Sequence, residues 1–192
     1  MAKKNEFRPD RPYSNWLSKL YLTKRQRKQL LKWFLYGMVL LVLSLVQDVI
    51  LSGVRMFGAS TDLVPCGIFL ICLLEGSHTG SVFALIASSL YVFSGSAPGN
   101  YSIIFITALA IFATIFRQTF LQRGFLTTIF CCCASMVLYE LLLFTLGAIL
   151  EFTLWSRFMG FIFTALFSLV PLPVLYPICL AISAIGDQLW KE

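Results

Sequence analysis

The sequence predicts an all-α membrane protein, with six transmembrane helices in one bundle and both termini in the cytoplasm. Three observations predict it. Of 192 residues, 58% are hydrophobic and only 12% charged, about half the charged share of a soluble domain. The apolar residues fall into runs of membrane-helix length separated by short polar turns. The charge is also one-sided. Residues 1–32 hold ten of the fifteen Lys and Arg against Glu6 and Asp10, and such an excess marks the cytoplasmic side. The chain therefore divides into a basic cytoplasmic tail with an interfacial helix at 1–32 and a six-helix transmembrane domain at 33–192.

Residues 1–12 are polar and carry Pro9 and Pro12, a composition that predicts disorder. Ser14 can cap a helix with Trp16, Leu17, Leu20 and Tyr21 on one face. Lys24, Arg25, Arg27 and Lys28 follow. They predict contact with a bilayer of anionic headgroups; the plainer alternative is a solvated topology signal. No nucleic acid is expected on this basic run, because a membrane span follows at once.

Span 1 is expected at 33–54, with Gly37, Ser44, Asp48 and Ser52 close to one face. That face should look inward, since Asp48 cannot comfortably meet lipid. An outside loop occupies 55–61. Span 2 starts near Asp62, read as an N-cap, carries Pro65 in its first turn and ends at Leu74. A tight inside turn at 75–80 leads to span 3, which ends at Phe93. Gly76, Gly80, Ala84 and Ser88 recur every four residues, a stripe that lets another backbone approach. Glycine in a turn would alone explain Gly76 and Gly80. The single histidine, His78, reads as a solvated turn residue.

A loop at 94–100 precedes span 4 at 101–116, and a basic inside turn occupies 117–124. Span 5 is expected at 125–150 and an outside loop at 151–157. Span 6, at 158–186, holds Pro171, Pro173 and Pro177, which should kink or partly unwind it. Apart from the tail, the inside turns hold Arg117, Arg123 and Lys191, the outside loops only Arg55 and Arg157. That balance sets the orientation.

No reaction chemistry is legible. All six cysteines lie in apolar runs without CxxC or Cys/His spacing. Neither a disulfide framework nor a metal site is indicated, and soft packing explains them. No GxSxG, HExxH or phosphate loop occurs, so no enzyme activity, cofactor or catalytic residue is expected. The long basic region without an A-x-A site argues against a cleavable signal peptide.

Glu140 is the residue that organises these expectations. It lies ~4 Å from the midpoint of a helix ~39 Å long, and a carboxyl there needs an interior partner. Span 5 should therefore be central. Asp48 lies ~7 Å outside its own midpoint, so the two acids should share a depth in the outer half. No Lys or Arg is expected there, and at least one carboxyl should be neutral if both are buried. Asp48, Glu140 and Tyr139 are thus candidate buried interhelical residues. They form either a proton- or cation-sensitive site or, more simply, hydrogen bonds to neighbouring hydroxyls.

Over 35–189 the order of features resembles the MreD family, the rod-shape-determining membrane proteins of bacteria. The carriers are Thr61-Asp62-Leu63, the glycine turn 75–80, Phe93-Ser94-Gly95-Ser96 with Gly99, Leu138-Tyr139-Glu140-Leu141, and the proline-rich 170–177. Departures are Thr61 where the family often has Pro, Tyr91-Val92-Phe93 where it often has Asp, and Glu75 where it often has Arg. The resemblance implies a multi-pass subunit of the bacterial cytoplasmic membrane. It would help couple an actin-like filament to peptidoglycan synthesis and so maintain cell shape. Implied partners are an MreC-like shape protein, a class B penicillin-binding protein and a RodA-type glycosyltransferase. The implied fold resembles the substrate-binding subunits of energy-coupling-factor vitamin transporters, which also supply the rival function. Those subunits commonly dock through Ala-xxx-Ala in span 1, and span 1 here has no small-xxx-small pair at that spacing.

Overall fold

The computed structural model describes residues 24–51, 61–121, 124–151 and 158–185. The expected helix at 13–23, most of the loops at 55–61 and 151–157, Arg123 and the chain end from 186 lie outside the described residues.

Seven α-helices follow one another: α1 (Lys24–Leu45), α2 (Leu63–Glu75), α3 (Ser77–Phe93), α4 (Ser102–Phe120), α5 (Phe125–Ile149), α6 (Phe158–Leu169) and α7 (Leu172–Ala184). A π-helical segment, Val46–Leu51, continues α1. No strand occurs among the described residues. Three helices are long and apolar enough to cross a membrane: Gln26–Leu51, Ser102–Phe120 and Phe125–Ile149. The pair α6 and α7, bent by 47°, makes a fourth if it is one span. α2 and α3 are shorter apolar helices.

Helix α2, and not α5, is central. Every residue from Leu63 to Leu73 is buried, and each of the other six helices packs on it. A helix apolar all round belongs in a core. α5 lies against α2, α4 and α6, and its surface is mixed: Leu126, Phe130 and Ile149 are exposed. The single carboxyl pointed to α5, but burial is set by the whole circumference, and α2 has no polar face at all.

The basic residues Lys24, Arg25, Arg27 and Lys28 belong to α1 itself, which runs unbroken through residue 33. Arg27 and Lys28 are exposed. α4 continues through Arg117 to Phe120, so the expected turn at 117–124 shrinks to its last few residues.

Close approaches need glycine at two places. A Cβ on Gly80 would lie 2.9 Å from the carbonyl oxygen of Cys72, where α3 folds back on α2. Gly76, between these helices, has φ +92, a conformation other residues adopt at a cost. Further along the same stripe Ala84 and Ser88 are buried, and Ser88 meets Thr107 of α4.

α1 and its π-helical continuation meet α3 and the loop after it near both ends. Trp33, Tyr36 and Phe83 form an aromatic cluster at one. Asp48 and Gln47 bond Ser96 and Tyr91 at the other. Between them lies an open apolar groove of about 820 Å³, lined by Gly37, Leu41, Val82, Ile86 and Leu90 among others.

The α6–α7 bend has a covalent cause. Pro171 has no N–H to continue α6, and its ring would meet the carbonyl four residues back. α6 ends at Leu169, Pro171 caps α7, and Pro173 sits in its first turn. Pro177 lies inside α7 and leaves a further carbonyl without its helical partner.

Candidate functional site

The two ends of α2 carry most of the buried polar chemistry. At the C-terminal end, called inner because it lies beside the basic start of α1, Glu75 accepts a hydrogen bond from the Tyr36 hydroxyl at 2.6 Å and pairs with the Lys32 ammonium at 2.7 Å. The Arg117 guanidinium bonds the carbonyl of Leu73, a cation at a helix C-terminus, where the dipole favours it. Tyr36 also lies 3.4 Å from the carbonyl of Cys179 on α7. Four helices are thereby tied together.

The N-terminal end, called outer as the opposite one, is built differently. A helix N-terminus inside an apolar bundle exposes amides that must find partners. Asp62 stands at the expected N-cap position, but its side chain caps nothing. Instead Gln47, buried on the segment after α1, accepts from the amides of Leu63 and Val64 at 2.8 and 3.2 Å. Ser168, in the last turn of α6, accepts from the amide of Asp62 at 2.7 Å. Pro65, next along, has no amide to satisfy. Gln47 lies fourteen residues beyond Trp33, ~21 Å at helical rise. α2 itself spans ~20 Å, so it runs beside α1 from Lys32 to Gln47, four residues before the π-helical segment ends at Leu51.

Around this terminus the polar groups gather. Glu140 and Tyr139 of α5 are buried, and so is Ser102 at the start of α4. The Asp62 carboxyl bears electrostatically on Glu140, Tyr139 and Tyr91, and Tyr139 lies beside Ser102. Neither acid is paired with a Lys or Arg among the described residues. Thr61 Oγ1 and Glu140 Oε1 are buried here without a hydrogen-bond partner, and the buried Tyr139 and Ser102 hydroxyls have only each other. Each such atom costs about 1–3 kcal/mol if left so.

Asp48 requires a correction. It is exposed, on the face that opens into the groove, and accepts from Ser44 at 3.2 Å and Ser96 at 2.8 Å. The inward face of α1 runs through Tyr36, Leu43 and Gln47, one residue round from the face of Gly37, Ser44 and Asp48. The acid that shares the neighbourhood of Glu140 is Asp62. Gln47 was missed because a neutral amide carries no strong burial signal. Its spacing of four residues from Leu43 and eleven from Tyr36 was the available clue.

The broken span joins this site. Ser168 is one residue from the end of α6, so the α6–α7 break stands at the level of the α2 N-terminus. The cysteines are free, and Cys66, Cys72, Cys131, Cys132 and Cys179 are buried. Among the described residues no group of His, Cys, Asp and Glu has a metal-site arrangement. His78 is exposed near the inner end of the groove. No family model, no curated protein sequence and no solved structure matches this chain.

Proposed function

We propose that the protein is a non-enzymatic subunit of the bacterial rod elongation complex, similar to the MreD family, in the bacterial cytoplasmic membrane. The observation that carries this reading is a convergence. Three of the stretches behind the resemblance, Thr61-Asp62-Leu63, Phe93 to Ser96 and Tyr139-Glu140, are far apart in sequence. All three contribute to the polar groups at the outer end of α2. A fourth, the 75–80 turn, closes its inner end through Gly80.

In this reading α2 and α3 are short spans beside the four longer ones, giving six crossings with both termini cytoplasmic. Lys24, Arg25, Arg27 and Lys28 lie at the cytoplasmic headgroups. The open groove between α1 and α3 faces the membrane, where a single-span MreC-like partner would lie. The class B penicillin-binding protein and the RodA-type glycosyltransferase complete the assembly.

Depletion and co-purification test it together. Depletion should turn rod-shaped cells round or wide, and an MreC-like protein should co-purify with the chain. Unchanged shape with neither partner would end this proposal. Labelling of cysteines introduced at 94–100 from outside the cell tests the topology, and protection there reverses it.

One observation favours the rival reading, a vitamin-transporter substrate subunit. The unpartnered polar atoms at the outer end of α2 are what a small polar ligand would satisfy. Loss of vitamin uptake on depletion, with a transmembrane coupling subunit co-purifying, would select it.

A further inference from the structure

We propose that the groove between α1 and α3 holds one acyl chain of an anionic phospholipid, with the headgroup at the basic start of α1. The inference concerns the chain alone and holds under either functional reading.

The groove has the size and lining of such a site. Its volume is about 820 Å³, within the ~300–1,000 Å³ of small-molecule clefts. Its floor is apolar, with Leu40 of α1, Val64 of α2 and Ala87 of α3. On the α1 wall a Cβ added at Gly37 would meet nothing within 4 Å. On the α3 wall Leu90 lies eleven residues beyond Thr79, ~17 Å at helical rise. One leaflet's acyl chains fill ~15 Å of the hydrocarbon core. Both ends of the groove are bridged, by Trp33 against Phe83 at 5.4 Å and by Ser96 donating to Asp48 at 2.8 Å. A helix is ~10–12 Å across and needs ~30 Å to cross the membrane. It would lie over these bridges and leave the floor uncovered, whereas a single chain enters by the open side and reaches it.

The two ends differ in charge, and that sets the direction of the lipid. At the inner end the groove reaches Trp33, His78 and Thr79, with the indole at the level where aromatic rings meet headgroups. Arg27 is exposed, six residues before Trp33, ~9 Å along the axis. It also precedes the lining residue Leu45 by eighteen residues, five whole turns, and so stands on the same edge of α1. Glu75, an acid at this end, is already paired with Lys32. At the outer end the exposed carboxylate is Asp48, which repels an anionic headgroup. The lipid phosphate therefore belongs beside Arg27, with the acyl chain running towards Leu90.

The test uses the full chain in micelles containing equal phosphatidylglycerol and phosphatidylcholine. Native mass spectrometry should show one phosphatidylglycerol retained per chain. Gly37→Phe fills the groove and should lose it. Gly160→Phe, on α6 and not part of the groove lining, also adds its Cβ where nothing lies within 4 Å, and it should retain the lipid like the parent. Arg27→Gln should lower the preference for phosphatidylglycerol about fivefold. Lys28→Gln should change it less, since Lys28 precedes Gly37 by nine residues, two and a half turns, and stands on the opposite side of α1. Should Gly37→Phe fail to fold, phosphatidylglycerol with a photoreactive group midway along its chain keeps the test open. Its crosslinks on the parent belong within 37–45 and 82–90. Equal retention of the two lipids overturns the proposal, as does unchanged retention in folded Gly37→Phe. So do equal losses in Arg27→Gln and Lys28→Gln, or crosslinks confined to other helices.

Discussion

The inner and outer ends of α2 solve the same problem in opposite ways. Both bring polar backbone and a carboxylate into an apolar bundle. At the inner end every charge has a partner: Glu75 meets Lys32 and Tyr36, and Arg117 meets the helix C-terminus. At the outer end the backbone is satisfied by neutral groups, Gln47 and Ser168, and the side chains are not. The inner end has its charges matched within the fold. The outer end has polar capacity left over, and in a core that capacity has a cost. The difference separates a charged clamp from a terminus capped through neutral groups.

The largest effect should come from breaking the clamp. Glu75→Ala leaves Lys32 partly buried without its counter-charge, and removing one member of a buried pair costs about 3–5 kcal/mol. Lys32→Met combined with Glu75→Leu should recover most of that loss, because the remaining cost is only of packing. Denaturant unfolding in mixed micelles measures both. If the single and double variants are equally unstable, the pair is not coupled and the contrast between the ends fails.

Next in size is Gln47→Leu. It keeps the bulk but strips the acceptor from two buried amides, each worth about 1–3 kcal/mol when orphaned. Hydrogen exchange should show faster opening at Leu63 and Val64 and little change near Glu75. Uniform loosening along α2 would mean that its ends are not separate units.

How far each end was legible follows from these residues. The chain's helical nature, the buried Tyr139-Glu140 pair and the proline break could all be read, because each depends on local chemistry or on a charge in an apolar run; the turn expected at 75–80 is a reversal at Gly76 alone, since α3 already begins at Ser77. Asp48 was placed inward on the rule that carboxylates avoid lipid. The fold instead gives it Ser44 and Ser96 at an exposed edge. Nor could the local sequence reveal how the α2 N-terminus is satisfied, since its partners Gln47 and Ser168 belong to other segments of the chain. Asp62 looked like its own helix's cap for the same reason. Long-range capping of this kind leaves no mark in the local sequence.

A smaller effect is expected at the α2–α3 turn. Gly80→Ala places a methyl 2.9 Å from the Cys72 carbonyl oxygen, which is backbone and cannot swing away. The helices must part slightly, at about 1–3 kcal/mol. Gly37→Ala is the control, since nothing lies within 4 Å of its added carbon. Equal stability of the two variants would remove close approach as the reason for the glycine at 80.

The smallest effect is the most informative about the outer end. Tyr139→Phe deletes a hydroxyl that lies beside that of Ser102 and reaches no other partner, and it keeps the ring that packs edge-on against Phe69 at 6.3 Å. Deleting a well-bonded hydroxyl destabilises a protein, but deleting a poorly satisfied one also removes a desolvation cost. Tyr139→Phe should therefore stay within about 1 kcal/mol of the parent. Denaturant unfolding of the two on matched preparations measures it. A variant several-fold more destabilised than that would mean that the hydroxyl is fully bonded within the fold, and that the N-terminal end of α2 is as well matched as the C-terminal one.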